Sequence, residues 1–246
     1  MKRYAGVDLA WQSDKNPSAV AIGFITNESE RKVLRLTQLY PRLHGVDQVL
    51  LALTEQPLQG VAIDAPLIIK NPIGMRSAER ALSRVYAAKS AGCHPSNLRL
   101  YPNPQSVQLA EHLRAQGFKH LAAPDQRFMI ECYPHPSLIE IFHLPERHRY
   151  KKGPVDARRK GQAELGELLR ALSSHAYLKL ELNDHGTKIT EASYIEHLKG
   201  AALKSNEDAL DAIVCLYIAA LYALGTKSTT FGDLEQGYVW VPQPEC

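Results

Sequence analysis

Short acidic side chains close or interrupt the most apolar runs of this chain, and that conflict limits what it can fold into. Asp8 ends the strand-like run Tyr4-Ala-Gly-Val-Asp8-Leu-Ala-Trp11, and Asp64 ends Val61-Ala-Ile-Asp64-Ala-Pro66. Glu131 lies inside Phe128-Met-Ile-Glu131-Cys-Tyr133, and Asp208 and Asp211 stand one helical turn apart in a strongly apolar segment. An ionised carboxylate in apolar surroundings is costly unless a counter-charge meets it. Several such residues in separate segments point to one cation-binding centre.

At 246 residues the chain suits a single domain with a substantial core, and we expect one domain over 1–246. Its 45% apolar and 22% charged residues are those of an ordinary soluble globular protein. A net charge of +3 says little about partners, but its distribution says more. Arg147, His148, Arg149, Lys151, Lys152, Arg158, Arg159 and Lys160 crowd one stretch against only Glu146 and Asp156. The cysteines Cys93, Cys132, Cys215 and Cys246 form no C-x-x-C pair, so a reducing, cytoplasmic setting is the simplest expectation. No signal peptide is expected at the N-terminus, and the longest apolar stretch, Ala212 to Leu224, is too short to span a bilayer.

The pattern predicts strands at Arg3 to Ala10, Ala19 to Thr26 and Lys32 to Leu39, linked by a turn at Gln12 to Ser18 and a polar link at Asn27 to Arg31. A helix is expected at Asp47 to Thr54 and a continuously apolar strand, of the kind buried in a parallel sheet, at Gly60 to Asp64. The stretch 66–125 reads as an insertion shaping a cleft, with helices at Ser77 to Ala91 and Ser106 to Gln116. A fifth strand follows at Arg127 to Tyr133, stopped by Pro134 and Pro136, with a short helix from Ser137 to His143. Helices are expected at Asp156 to His175, Ile189 to Leu203 and Ser205 to Leu224, and a small edge strand at Gly237 to Val241.

Asp208 and Asp211, spaced i, i+3, share one face of a helix that is apolar nearly all round and is therefore buried. Two carboxylates about 4 Å apart repel by roughly 4 kcal/mol at an effective dielectric of 20. Clustered acids therefore need protonation or a cation, and an all-oxygen set favours Mg²⁺ or Mn²⁺ over zinc. Such a site accommodates two ions about 3.5–4 Å apart, the arrangement suited to phosphodiester cleavage.

Each acid also has a plainer reading. Asp8 and Asp64 can simply end their strands. Ser205-Asn-Glu-Asp208 fits a capping box in which Asp208 reaches back to the Ser205 amide. Glu131 can be an inward ligand or the ion-pair partner of an arginine, and His135 an acid–base group or a core histidine. Lys151, Lys152, Arg158 and Arg159 are either a solvated loop or phosphate contacts, the latter only if they border the acidic site.

The order of these elements is similar to that of the ribonuclease H-like fold, and Asp208-Ala-Leu-Asp211-Ala resembles the late acidic pair of Holliday-junction resolvases. More closely, Gly6-Val-Asp8-Leu-Ala-Trp11, Ala62-Ile-Asp64-Ala-Pro66-Leu, Glu131-Cys-Tyr-Pro134-His-Pro-Ser-Leu138 and Asp208-Ala-Leu-Asp211-Ala-Ile resemble the domain-of-unknown-function family 429, described as predicted ribonuclease H-like nucleases. The resemblance implies an α/β fold with a mixed five-stranded sheet, three antiparallel strands followed by parallel ones, flanked by helices. It implies a nuclease working through Mg²⁺ or Mn²⁺, with Asp8, Asp64, Asp208 and Asp211 as ligands and Glu131 as a further catalytic residue. Nucleic acid would be the partner, and a homodimer follows by analogy with the resolvases. Asp64 stands where many members of the wider fold have Glu; either binds a hard cation. Two rivals are a non-catalytic binding module on the same fold and an ATP-dependent phosphotransferase. The latter needs a Gly-rich phosphate loop, which we do not find after Glu131.

Overall fold

The computed structural model describes residues 2–12, 16–28 and 31–244. Its centre is a seven-stranded mixed sheet in the order β5-β6-β4-β1-β2-β3-β7, built from β1 (Arg3–Asp8), β2 (Ser18–Glu28), β3 (Arg31–Leu43), β4 (Gly60–Asp64), β5 (Lys119–His120), β6 (Phe128–Glu131) and β7 (Lys179–Glu181). β2 runs antiparallel to both β1 and β3, while β4 and β6 continue parallel to β1. The sheet thus has two more strands than the five expected. The additions, β5 and β7, are two and three residues long and sit at the two edges. The expected turn at Gln12 to Ser18 and the link at Asn27 to Arg31 fall in part on residues 13–15 and 29–30, outside the described residues.

Side chains alternate across the sheet with the two-residue period of extended chain. Ala5, Val7, Val61, Ile63 and Met129 face α1 (Gly45–Thr54) and α3 (Gln105–Ala115) in one core. Tyr4, Ala62, Phe128 and Ile130 face the other way, against α8 (Gly200–Ala223), with α5 (Val155–Ala171) and α4 (Pro134–Phe142) contributing to the same core. The result is a three-layer arrangement of helices on both faces of a sheet. Gly6 sits on the α8 side of β1. A Cβ there would fall on the Leu216 nitrogen and the Ala212 carbonyl, so only glycine lets α8 lie directly against the strand.

Several expected boundaries move. The strand does end ahead of Pro134, at Glu131, but the helix expected from Ser137 starts at Pro134; both prolines lie in the first turn of α4, where backbone N–H groups have no helical partner to lose. The single helix expected at Ile189 to Leu203 is instead the end of α6 (Asp184–Thr190), the one-turn α7 (Ala192–Ile195) and the start of α8. α8 begins five residues ahead of the expected Ser205, with Lys199 as N-cap, so Asp208 is no cap. The Ser205 hydroxyl donates instead to the Pro41 carbonyl. The C-terminal strand β9 (Gly237–Pro242) is not an edge of the main sheet but pairs with β8 (Ser228–Asp233) in a separate hairpin. That hairpin packs on α2 (Ser77–Tyr86). No helix among the described residues is long and apolar enough to cross a membrane.

Candidate functional site

Asp8 and Asp64 are direct partners across the parallel β1–β4 pair, so two carboxylates stand side by side at the carboxyl ends of neighbouring central strands. Their parity points them toward α8. The helix replies with Asp208 and Asp211, whose exposures are 2% and 0%. Gly6 admits the α8 backbone two residues before Asp8, and the charges of Asp64, Asp208 and Asp211 all act on Asp8.

The cluster carries its own cations. Lys151 Nζ lies 2.7 Å from Asp211 Oδ2 and 3.8 Å from Asp64 Oδ2. Lys204 Nζ lies 2.5 Å from Asp208 Oδ1 and 2.8 Å from Glu207 Oε1. The Tyr150 hydroxyl donates a 2.5 Å hydrogen bond to Asp211 Oδ1. Asp208 Oδ2 and Asp211 Oδ2 are buried with no hydrogen-bond donor; the Lys151 contact is ionic without hydrogen-bond alignment. Among the described residues, no three His, Cys, Asp or Glu side chains stand ready as a metal-ligand set.

Burial raises the Asp8 carboxyl well above the usual range; Lys151 pulls it down, while Asp211, Asp208 and Asp64 push it further up. Burial likewise lifts Asp64 to about 7 against the pull of Lys151. Asp208 is raised by burial, with Lys204 opposing. For Lys151 burial favours the neutral amine, but its surroundings, Asp211 first and then Tyr150, Asp64 and Asp8, outweigh it and hold the ammonium.

Glu131 is placed elsewhere. It shares strand parity with Met129 and so faces away from α8, where its two oxygens accept hydrogen bonds from Arg76 Nη1 (2.9 Å) and Nη2 (2.5 Å) and from the Leu67 amide (2.9 Å). Arg76 is also bound by Glu79, at 2.7 Å from Nε. Of the two readings of Glu131, the ion pair is the one observed. Arg158 contacts Glu207 at 3.3 Å, and Arg159 donates to the Leu198 carbonyl and pairs with Asp156, so both tie α5 to its surroundings. Lys152 is exposed. Lys151, read from sequence as a phosphate contact, lies within the acid cluster itself.

Sequence reasoning overlooked Tyr150, Lys204 and Arg76. Lys204 was legible as the basic residue four before Asp208 on one helix face. Tyr150 and Arg76 gave no local signal, since each meets its acid only through tertiary folding.

A helix-flanked mixed sheet with an acidic cluster at its carboxyl edge is thus the class of protein that fold and site define. The chain belongs to the family described as Protein of unknown function (DUF429), whose profile matches residues 6–236. Comparison with curated proteins and with solved structures gives no match.

Proposed function

We propose that the protein is a divalent-cation-dependent phosphodiesterase of ribonuclease H-like architecture, acting on nucleic acid. The architecture is supported by the inner strand order β3-β2-β1-β4-β6 with β2 alone reversed, and by acids at the ends of β1 and β4 and on a late helix. The observation that carries the reading is the meeting of Asp8, Asp64, Asp208 and Asp211, with Asp208 Oδ2 and Asp211 Oδ2 buried and unpartnered. Hard oxygen donors of this kind fit Mg²⁺ or Mn²⁺, and these four residues would hold the ion. A bound divalent ion supplies charge stabilisation at phosphoryl oxygens and a more acidic water.

The protein's own groups supply the rest. Lys151, 24% exposed, presents a cation at the mouth of the cluster, positioned to meet a phosphate oxygen. Tyr150 fixes the orientation of Asp211, and Lys204 that of Asp208. The Arg76–Glu131–Glu79 network anchors the segment after β4 against β6. A reducing, cytoplasmic setting suits the free Cys132 and Cys215 thiols, the first of which donates a 3.6 Å hydrogen bond to the second.

A second reading, a non-catalytic binding module, is favoured by one observation: Lys151 already compensates Asp211 from within. Cleavage assays over RNA, DNA and branched substrates separate the two. Asp211→Asn is expected to slow Mg²⁺- or Mn²⁺-dependent cleavage at least about a hundredfold. Cleavage surviving that change would sink the phosphodiesterase reading, and silence of the wild type on every substrate would favour the module.

A further inference from the structure

Beside the acid cluster lies a hollow of about 420 Å³ that the carboxylates do not line. Its volume falls toward the small end of the range of about 300–1,000 Å³ typical of small-molecule sites. One side is a run of four rings in contact: Tyr133 with His135 at 5.5 Å between centroids, His135 with Tyr150 at 5.5 Å, and Tyr150 with His148 at 5.7 Å. Arg147, Arg149, Lys151 and Lys152 line it as well. Arg149 stands 3.5 Å from Glu146, both exposed, whereas no ion pair holds Arg147 or Lys152 among the described residues. His135 is only 6% exposed, and its Nδ1 is buried without a hydrogen-bond partner.

Cations gathered without matching carboxylates repel one another in the free protein and attract an anion. Guanidinium and ammonium groups favour phosphate, and flat aromatic faces favour a base or sugar ring. Tyr150 and Lys151 belong to the hollow and to the acid cluster at once, through the contacts each makes with Asp211. The hollow and the acid cluster therefore share two residues and adjoin each other.

We propose that this pocket holds the terminal nucleotide of the substrate strand, its 5′-phosphate on Arg147 and Lys152 and its base against the Tyr133–His135 wall. The inference rests on the phosphodiesterase reading and adds to it that the protein works from a strand end. A volume of about 420 Å³ admits one nucleotide and no stretch of duplex.

The test has a binding arm and a cleavage arm. Calorimetry in EDTA with adenosine 5′-monophosphate, adenosine and inorganic phosphate isolates the pocket from any cation. The monophosphate is expected to bind at least about tenfold more tightly than either fragment. Arg147→Ala and Lys152→Ala, each checked for an unchanged melting curve, are expected to weaken it by about tenfold, the scale of one charge-assisted hydrogen bond. In the second arm, linear 5′-phosphorylated strands are expected to release mononucleotides while circular strands persist. Monophosphate binding indifferent to both variants, or circular strands cut as fast as linear ones, would overturn the pocket and leave the phosphodiesterase. Monophosphate binding with no cleavage of any strand would do the reverse, and strand-end action would fall with it.

Discussion

Lys151 and Asp211 form an ion pair in which the ammonium lies 2.7 Å from a carboxylate with no exposed surface. The lysine arrives on a loop and the aspartate on the central helix, so the pair joins two elements at the sheet's carboxyl edge. It supplies from within the chain the counter-charge that buried acids require.

Lys151→Met keeps the length of the side chain and removes its charge. Removing one partner of a buried pair costs about 3–5 kcal/mol, and the partial exposure of Lys151 places this change at the lower end. The variant should be less stable than the wild type in EDTA and should bind Mg²⁺ or Mn²⁺ more tightly, since cation and ammonium compete for Asp211. Denaturant unfolding in EDTA, with calorimetric cation titration, checks both halves. A variant of unchanged stability and weaker cation binding would contradict the competition.

Cation binding itself should stabilise the native protein. At a concentration 100 times the dissociation constant, mass action gives about 2.7 kcal/mol. Asp8→Asn should remove most of that gain and raise the stability of the cation-free protein, because it relieves repulsion with Asp211, Asp208 and Asp64. Equal melting shifts in the two proteins would remove Asp8 from the ligand set.

Gly6→Ala tests how the cluster is brought together. The added methyl meets the backbone of α8 rather than a side chain that can rotate away. Overpacking costs about 1–3 kcal/mol, occasionally more, and a backbone obstacle puts this case at the top of that range. Thermal melting should fall accordingly, and cation binding should weaken because Asp208 and Asp211 move with their helix. A fully stable Gly6→Ala protein would mean that α8 tolerates displacement.

His135 should leave a mark on stability below neutral pH. Burial, followed by the charges of Lys151, Arg147, His148 and Lys152, holds its imidazole well below the ordinary range. Its neutral form therefore stabilises the native state fully above about pH 6.5, the unfolded value, and that contribution is lost as pH falls toward the native value. The slope is about 1.4 kcal/mol per pH unit. The raised acids Asp8, Asp64 and Asp208 act with the opposite sign, so the quantity to follow is wild type minus His135→Phe. That difference should fall as pH drops from 6.5, and a flat difference would mean that His135 takes up its proton as readily in the folded protein as in the unfolded one.

Strands whose interior is continuously apolar were legible in the sequence. Gly60–Asp64 is found where the pattern puts it, because burial on both faces leaves no polar position to blur its ends. Lys119–His120 and Lys179–Glu181 were not legible: each is two or three residues long and extended only because a neighbouring strand offers it hydrogen bonds. Ser228–Asp233, rich in Ser, Thr and Gly, looks like loop until its hairpin partner is known. Pro134 and Pro136 misled because a proline that ends an extended run is equally suited to a helix's first turn. In the site, the aspartates were legible because a carboxylate among apolar residues is anomalous in any fold. Glu131 gave the same signal and faces the other way, since one position of strand parity separates it from Ile130. Arg76, which compensates it, was hidden among charged residues that are mostly solvent-facing.

The path of the chain also sets an order of events. Asp8 lies on the first strand, and Asp208 and Asp211 on the last helix, among the described residues. During synthesis β1 and β4 emerge early, with Asp8 and Asp64 adjacent and uncompensated, and neither Lys151 nor α8 is yet available. Contacts so distant in sequence form slowly, after the loop-closure cost has been met. The nascent protein therefore has no assembled site until α8 docks on Gly6, and a chain cut short before that helix would have only half of its acids and a bare sheet face.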